Sequence, residues 1–263
     1  MKMVEMKNRR LFLLQQKTKS SGNANTIALN SISTYYESSE PSLNQDGNKL
    51  IHKTPIMKST TQYEQKPLPF QTELKGISNK TINIHHDKLY AGYVSKMNEI
   101  TMELNKIATG EKEAVGNQTY SELRGLRSAE IFATNGVYLH EAYFNTLNGD
   151  GSVPDNSLTR ALIEKFGSME QFFKYFSASG MSMRGWVVLA WDIQLERLKI
   201  YGCDSHDQGG VWGCIPILVL DVYEHAYFLD YESDRSTYIA DFWKNIDWNF
   251  ANTIFEKFQS IHL

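Results

Sequence analysis

The longest regular pattern in this sequence is a run of apolar side chains at helical spacing over residues 79–104. Ser78 precedes the run as a helix N-cap, and a charged loop at 109–118 ends it. A second helical run follows over 120–147, so the two are predicted to form a helical hairpin. The face of the first helix is formed by residues three or four positions apart: Ile82, His85, Leu89, Tyr93 and Met97.

Turn-forming residues at 149–154 predict a domain boundary, because the pattern changes after them. The elements predicted beyond it are helices at 157–166 and 169–177, strands at 186–191, 198–201 and 215–221, and aromatic helices between 238 and 258. Short connections between the strands favour an antiparallel meander. The predicted fold class is α/β, of the α+β type. It has an N-terminal helical hairpin plus a C-terminal domain of helices around a three-stranded antiparallel sheet.

The first 65 residues differ in composition from the rest of the chain. Leu, Ile, Val and Phe make up only 12 of them, and all five Trp residues come after position 185. A segment this poor in core-forming side chains is predicted to be a disordered polar extension. The sequence therefore predicts an extension at 1–65, a helical hairpin domain at 66–150 and an α/β domain at 151–263.

Charge and cysteine content limit the partners and the compartment. The 263 residues include 27 basic and 30 acidic side chains, a net charge of −3, which leaves no cationic excess for binding nucleic acid. No apolar run is long enough to cross a membrane. Two cysteines, Cys203 and Cys214, fit a reducing compartment, so a cytoplasmic protein is predicted. Six basic and one acidic residue among the first 19 leave an organelle-targeting presequence open.

A candidate metal site emerges from three apolar segments. The most hydrophobic predicted strand ends in Asp221, four residues before His225, and a buried carboxylate is costly unless it is paired or bound to metal. His85 and His140 lie within the apolar runs of the two hairpin helices. Three imidazoles and one carboxylate suit iron, manganese or zinc and suit calcium or magnesium badly. Spacing alone leaves open that each histidine is a hydrogen-bonded core residue.

Longer sequence words make the pattern specific. They are Thr81-Ile-Asn-Ile-His85-His-Asp-Lys-Leu-Tyr-Ala-Gly-Tyr93-Val, Gly136-Val-Tyr-Leu-His140-Glu-Ala-Tyr-Phe, Asp221-Val-Tyr-Glu-His225-Ala-Tyr-Phe-Leu-Asp-Tyr and Phe242-Trp-Lys-Asn-Ile-Asp-Trp248. Read together, they resemble the iron/manganese superoxide dismutase family. The resemblance runs in family order from about Leu68 to the C-terminus.

That resemblance implies a metal centre and a reaction. One iron or manganese ion per chain would be held by four side chains, with water or hydroxide as a fifth ligand: His85, His140, Asp221 and His225. The implied reaction disproportionates superoxide, 2 O2⁻ + 2 H⁺ → H2O2 + O2. The choice between iron and manganese stays open.

The resemblance also implies roles for residues around the metal. Tyr93 would stand at the substrate gateway and Trp186 would wall the pocket. His206 would hydrogen-bond the metal-bound solvent, because Gly136 stands where some members have the glutamine that does so. Glu224 would reach across a homodimer to a metal-ligating histidine of the other subunit, and a tetramer stays open as well.

Some positions depart from the usual family pattern. Leu89 and Phe228 replace a histidine and a tyrosine that meet across the dimer, which predicts an apolar contact instead. Tyr223 replaces a tryptophan, and Asp234 stands in place of an arginine, with Arg235 beside it. A carboxylate at the mouth of a substrate funnel would repel an anion, so these departures put substrate steering in doubt.

Two alternatives accompany this interpretation. The first is a family-like scaffold or assembly subunit that binds metal without turning over, with the extension as its binding arm. Ligand loss would indicate such a protein, but all four ligands are present. The second is a zinc-hydrolase helix containing His140-Glu141. That motif requires a histidine at position 144, which is Phe144, so the alternative is weak.

Overall fold

The computed structural model describes residues 62–208 and 210–261. The predicted extension therefore lies outside the described residues, apart from its last positions, 62–65. Residues 62–66, called the strap below, form neither helix nor strand and lie against the hairpin. Among the described residues, no helix combines the length and the apolar character needed to cross a bilayer.

The N-terminal hairpin is confirmed. Its first arm is a continuous helical rod made of α1 (Asn79–Ile84), a π-helical turn (His85–Tyr90) and α2 (Ala91–Ala108). Ser78 begins the rod as predicted, since its side chain accepts a hydrogen bond from the backbone N–H of Thr81 at 3.2 Å. The second arm is α3 (Glu122–Asn145). A π-helical turn is a local widening of the helix that is frequent at functional sites.

The C-terminal part of the fold has the predicted helices and strands. In chain order they are α4 (Ser157–Phe166), α5 (Met169–Ser182), β1 (Trp186–Asp192), β2 (Arg197–Cys203), β3 (Cys214–Asp221), a 3-10 turn (Glu224–Ala226), α6 (Phe228–Tyr231), α7 (Arg235–Trp243) and α8 (Trp248–Phe258). Helix α3 packs against β3, which brings the hairpin onto the sheet. The core between them is apolar and includes Val137, Phe144, Leu218 and Leu220, all buried.

The strand order corrects one expectation. The sheet is antiparallel and three-stranded, as predicted, but its order is β2-β1-β3 and not that of a meander. β1 lies at the centre and is buried along nearly its whole length, whereas β2 lies at an edge and is mostly half-buried or exposed. In the register Trp186 pairs with Cys203 on one side and Asp221 on the other. The first residue of β1 and the last residues of β2 and β3 therefore lie side by side at one end of the sheet.

Candidate metal centre

Four side chains from three stretches of the chain converge in the interior. The ligand atoms of His85, His140, Asp221 and His225 all lie within 4.8 Å of one another. Their meeting point is Asp221 Oδ2, which lies 3.1 Å from His85 Nε2, 3.2 Å from His225 Nε2 and 3.8 Å from His140 Nε2. The side chains of His85, His140 and Asp221 are fully buried, and that of His225 is 26% exposed. The structure therefore brings together all four ligands expected from the sequence.

Each of these four candidate ligands is placed by the element that carries it. His85 opens the π-helical turn, and His140 lies on the face of α3 that meets the sheet. Asp221 is the last residue of β3, and His225 follows in the 3-10 turn, so a single strand end delivers both. Tyr238 on α7 donates a hydrogen bond of 2.8 Å to the backbone carbonyl of Asp221, which fixes that strand end.

The donor set fits a transition-metal ion. No hydrogen-bond partner among the described residues pairs with Nε2 of His85 or of His140, although both atoms are buried. Unpartnered buried polar atoms are costly, and a bound cation would satisfy both lone pairs at once. His140 Nδ1 donates to the backbone carbonyl of Gly136 at 2.5 Å, which leaves its Nε2 unprotonated and free to ligate.

Electrostatics favour an ionised carboxylate beside two neutral imidazoles; burial alone would lower the pKa of the third, His225, but Asp221 beside it raises that pKa. Burial alone would raise the pKa of the Asp221 carboxyl, but His225 and His85 beside it outweigh burial and hold that pKa below its usual range. Burial lowers the pKa of His85 and lowers that of His140 further, so both rings are neutral near pH 7. Neutral imidazole and ionised carboxylate are the forms that bind a metal.

A hydrogen-bonded chain of three side chains lies next to the ligands. Trp186 Nε1 donates to His206 Nδ1 at 2.8 Å, so the remaining hydrogen of the neutral His206 ring is on Nε2. His206 Nε2 therefore donates to the Tyr93 hydroxyl, also at 2.8 Å. Asn135 on α3 donates to the backbone carbonyl of His206 at 2.7 Å and holds the loop in place. His206 is a buried residue and not a loop histidine facing water.

The hydrogen bonds to Trp186 and Tyr93 occupy both ring nitrogens of His206, which limits its direct contact with a metal-bound solvent molecule. Its ring nevertheless lies 5.8 Å from that of His140, and burial lowers its pKa to about 4, so it is neutral at pH 7. The Tyr93 ring lies 5.3 Å from that of His140. Trp186, His206 and Tyr93 therefore border the cluster together.

A cavity of about 630 Å³ opens beside Tyr93 between the two arms of the hairpin. Lys88, Lys96 and Arg124 line it, and Asp207 contributes one opposing charge. Lys96 forms a 2.5 Å ion pair with Glu99. The cavity nevertheless carries more cationic than anionic groups. An anion would be attracted to this cavity.

Asp234, at the position where the family usually has an arginine, and Arg235 beside it lie at the start of α7. Asp234 caps α7 by accepting from the backbone N–H of Thr237 at 3.0 Å, and the cavity beside Tyr93 is not lined by it. Arg235 donates to the carbonyl of Met183 at 2.8 Å and to the Tyr227 hydroxyl at 3.2 Å. Both side chains thus have structural partners.

Tyr223, Glu224 and Phe228 lie in or next to the 3-10 turn, whereas Leu89 lies in the π-helical turn of the first hairpin arm. Tyr223 stacks on the His225 ring at 5.2 Å and so still supplies an aromatic wall. Leu89 lines the cavity beside Tyr93. Glu224 and Phe228 are exposed in the single chain, Phe228 by 50%.

Sequence reasoning did not identify the carboxylate behind His140. Glu141, considered only as part of a zinc-hydrolase motif, accepts hydrogen bonds of 2.8 Å from the hydroxyls of both Tyr63 and Tyr90. Phe144 does stand where that motif needs a histidine, and it packs on the His85 ring at 5.1 Å. No sequence signal marks this cluster, because Tyr63 and Tyr90 lie 78 and 51 positions away from Glu141.

Comparison with known sequences decides the family. Residues 62–148 match the alpha-hairpin domain of iron/manganese superoxide dismutases, and residues 154–254 match their C-terminal domain. This chain belongs to the iron/manganese superoxide dismutase family. Membership confirms the predicted family and agrees with the fold described above.

Individual relatives include both metal types of the superoxide dismutase family. The iron superoxide dismutase of Aquifex pyrophilus is 40% identical over 185 residues, which cover 70% of this chain and 86% of that protein. The iron enzyme of Cupriavidus metallidurans is 36% identical over 197 residues, 73% of this chain and 96% of the relative. The manganese superoxide dismutase 1 of Halobacterium salinarum is 30% identical over 200 residues, 75% and 96% respectively.

Proposed function

We propose that this protein disproportionates superoxide to hydrogen peroxide and dioxygen at one iron or manganese ion. The observation that carries the proposal is the convergence of His85, His140 and His225 on a single oxygen of Asp221, with imidazole nitrogens left unpartnered in a buried site. Family membership supports the same reaction.

The four converging side chains would hold the ion. His85 and His140 come from the proposed hairpin domain, 66–150, whereas Asp221 and His225 come from the proposed α/β domain, 151–263. When bound, iron or manganese would supply a one-electron couple that oxidises one superoxide and reduces the next. The single carboxylate contributes negative charge, which favours the higher oxidation state of a bound cation.

Protons for the peroxide product would be relayed by the residues beside the ligands. Trp186 holds His206 Nδ1 as an acceptor, so His206 Nε2–H donates to the Tyr93 oxygen and leaves the Tyr93 hydroxyl hydrogen free to point elsewhere. Tyr93 borders the cavity, so it can pass a proton from cavity water toward the ligand cluster. His206 would orient Tyr93 and keep its hydroxyl in place.

We extend the proposal to a homodimer in a reducing compartment. Glu224 is exposed in the single chain beside His225, which suits a carboxylate that contacts a second copy of this chain. The exposed Phe228 and its neighbour Leu229, 52% exposed, would supply apolar contact area there. Both cysteines, Cys203 and Cys214, are free thiols, which fits the cytoplasm.

The test combines elemental analysis with superoxide consumption by the purified full-length chain. About one iron or manganese per chain, together with suppression of the superoxide signal at substoichiometric protein, is the expected result. Light scattering on the same sample should report a dimer. A fully metallated protein without turnover would instead support the scaffold alternative.

A further inference from the structure

The strap at 62–66 is bound to the first hairpin arm through its backbone. Tyr63 donates its N–H to Asn98 Oδ1 at 2.7 Å and accepts from Asn98 Nδ2 at 2.9 Å. Lys66 donates its N–H to the Tyr90 hydroxyl at 3.0 Å, and its carbonyl accepts from His86 Nε2 at 2.9 Å. The strap is therefore fixed at two points along the arm.

The strap is also bound to the second arm through Glu141. The Glu141 carboxylate accepts from the hydroxyls of Tyr63 and Tyr90 and from the ammonium of Lys66, the last at 2.5 Å. Its side chain is only 10% exposed, so these donors replace most of its solvation. Tyr90 belongs to the first arm and Glu141 to the second, so one carboxylate joins both arms and the strap.

These contacts are adjacent to the metal ligands in sequence. His86, which binds the strap carbonyl, directly follows the ligand His85. Glu141 directly follows the ligand His140. Tyr90, whose hydroxyl Glu141 holds, places its ring 6.4 Å from the His140 ring. Each hairpin ligand thus has a neighbour attached to the same strap.

We propose that the strap and Glu141 form a positioning network that sets the two hairpin imidazoles for metal binding. This inference rests on the proposed function, because it concerns the same ion. An apolar residue at 141 could pack the two arms together as well as a carboxylate does, since buried ion pairs add little stability over good packing. The carboxylate adds directional hydrogen bonds. Its three donors, on Tyr63, Lys66 and Tyr90, fix the rotation of α3 about its own axis at His140.

The experiment uses the full-length, metal-loaded protein with Glu141→Gln and Tyr63→Phe, separately and together. Tyr63→Phe keeps the ring and removes one donor, whereas Glu141→Gln removes the charge that Lys66 and both tyrosines share. We expect metal loss to excess EDTA to be about tenfold faster in each variant, together with an altered EPR spectrum of the bound ion. The double variant should lose its metal hardly faster than Glu141→Gln alone, because both changes act on the same contact.

Two control variants separate positioning from general destabilisation. Arg127→Met removes an exposed ion pair with Glu130 on the same helix, and Leu162→Val destabilises the buried core of α4 away from the strap. Both should keep the wild-type EPR spectrum and rate of metal loss, even where Leu162→Val lowers the melting temperature. Strap variants whose melting temperature falls while metal loss and spectrum match wild type would overturn the proposal.

Failure of this proposal can be told apart from failure of the proposed function. An active wild-type protein with unaffected strap variants would remove only the positioning role. A wild-type protein that neither retains iron or manganese nor consumes superoxide would overturn both.

Discussion

The ring of Tyr93 occupies the space that any side chain at position 136 would need. A Cβ atom on Gly136 would lie 2.8 Å from Cδ1 and 2.9 Å from Cγ of Tyr93, closer than such carbon atoms approach in proteins. The carbonyl of the same glycine accepts the hydrogen bond that orients His140. Gly136 therefore lets Tyr93, the proposed proton donor on α2, pack against the turn of α3 that carries the proposed ligand His140.

Gly136→Ala should lower turnover by about tenfold while metal content stays near wild type, because the added methyl group displaces Tyr93 from His206. Glycine to alanine inside a helix normally stabilises by about 1 kcal/mol. At position 136 we expect that gain to be lost to the steric conflict. Turnover assays, elemental analysis and thermal melts measure the three effects.

Gly125→Ala is the matched control on the same helix. Nothing lies within 4 Å of a Cβ atom at position 125, so this variant should melt higher than wild type with unchanged turnover. If Gly136→Ala behaved in the same way, Tyr93 would have room to move and its exact placement would not matter.

His206→Gln should retain turnover, whereas His206→Leu should lose most of it. The side-chain oxygen of a glutamine can accept from Trp186 Nε1, and the NH2 group of the same side chain can donate to Tyr93. Both hydrogen bonds made by His206 are therefore kept. Leucine can do neither. In His206→Gln we also expect the activity ratio of the iron and manganese forms to shift, since the hydrogen bonds next to the metal change. An unchanged ratio and unchanged turnover in both variants would remove His206 from the site.

Asp221→Ala should empty the metal site. This carboxylate is the common neighbour of all three imidazole nitrogens and the only anionic group in the cluster. Elemental analysis should find metal reduced at least tenfold, with Asp155→Ala, an exposed partner of Arg160, as the control. Full metal occupancy in Asp221→Ala would refute the assigned ligand set.

Much of the fold could be predicted because the apolar pattern is regular. Ser78 as an N-cap and the helix at 157–166 agree with the structure residue for residue, since capping and amphipathic spacing are local properties. The sheet order was predicted wrongly from connection length, and composition holds only part of the signal, because the strongly apolar strand that ends in Asp221 also lies at an edge. Trp186-Val-Val-Leu-Ala-Trp191 is apolar throughout and becomes the central strand, whereas Arg197-Leu-Lys-Ile-Tyr201 alternates and becomes an edge strand.

The four converging side chains were expected from sequence words, but the surrounding network was not. His85 and Asp221 stand out because imidazoles and carboxylates are unusual within apolar runs. Glu141 and Tyr63 do not stand out, because their partners are distant in sequence and depend on how strap and helices pack. The π-helical turn at His85–Tyr90 was also missed, since it changes the helix period over only a few residues.

The cationic side chains that line the cavity beside Tyr93 should attract superoxide. Arg124→Glu reverses a cavity charge and should lower kcat/KM for superoxide several-fold at low ionic strength, with the difference shrinking as salt screens it. Arg127→Glu lies one turn away on the same helix and does not line this cavity, so it should change kcat/KM much less. If the two substitutions lowered kcat/KM equally, the net charge of the protein, and not the charge within the cavity, would govern the attraction of superoxide.

Cys203 should resist alkylation in the folded protein. Burial raises the pKa of its thiol to about 11, so at pH 8 only about 0.1% is thiolate, compared with about a quarter for a free cysteine. Because thiolates are the form that hydrogen peroxide oxidises, a protonated thiol opposite Trp186 suits a site that releases peroxide. Iodoacetamide labelling followed by mass spectrometry should be about a hundredfold slower at Cys203 in the native chain than in denaturant, and should accelerate as pH rises toward 11. Native labelling as fast as in denaturant would show that the thiol is neither shielded nor held in its protonated form.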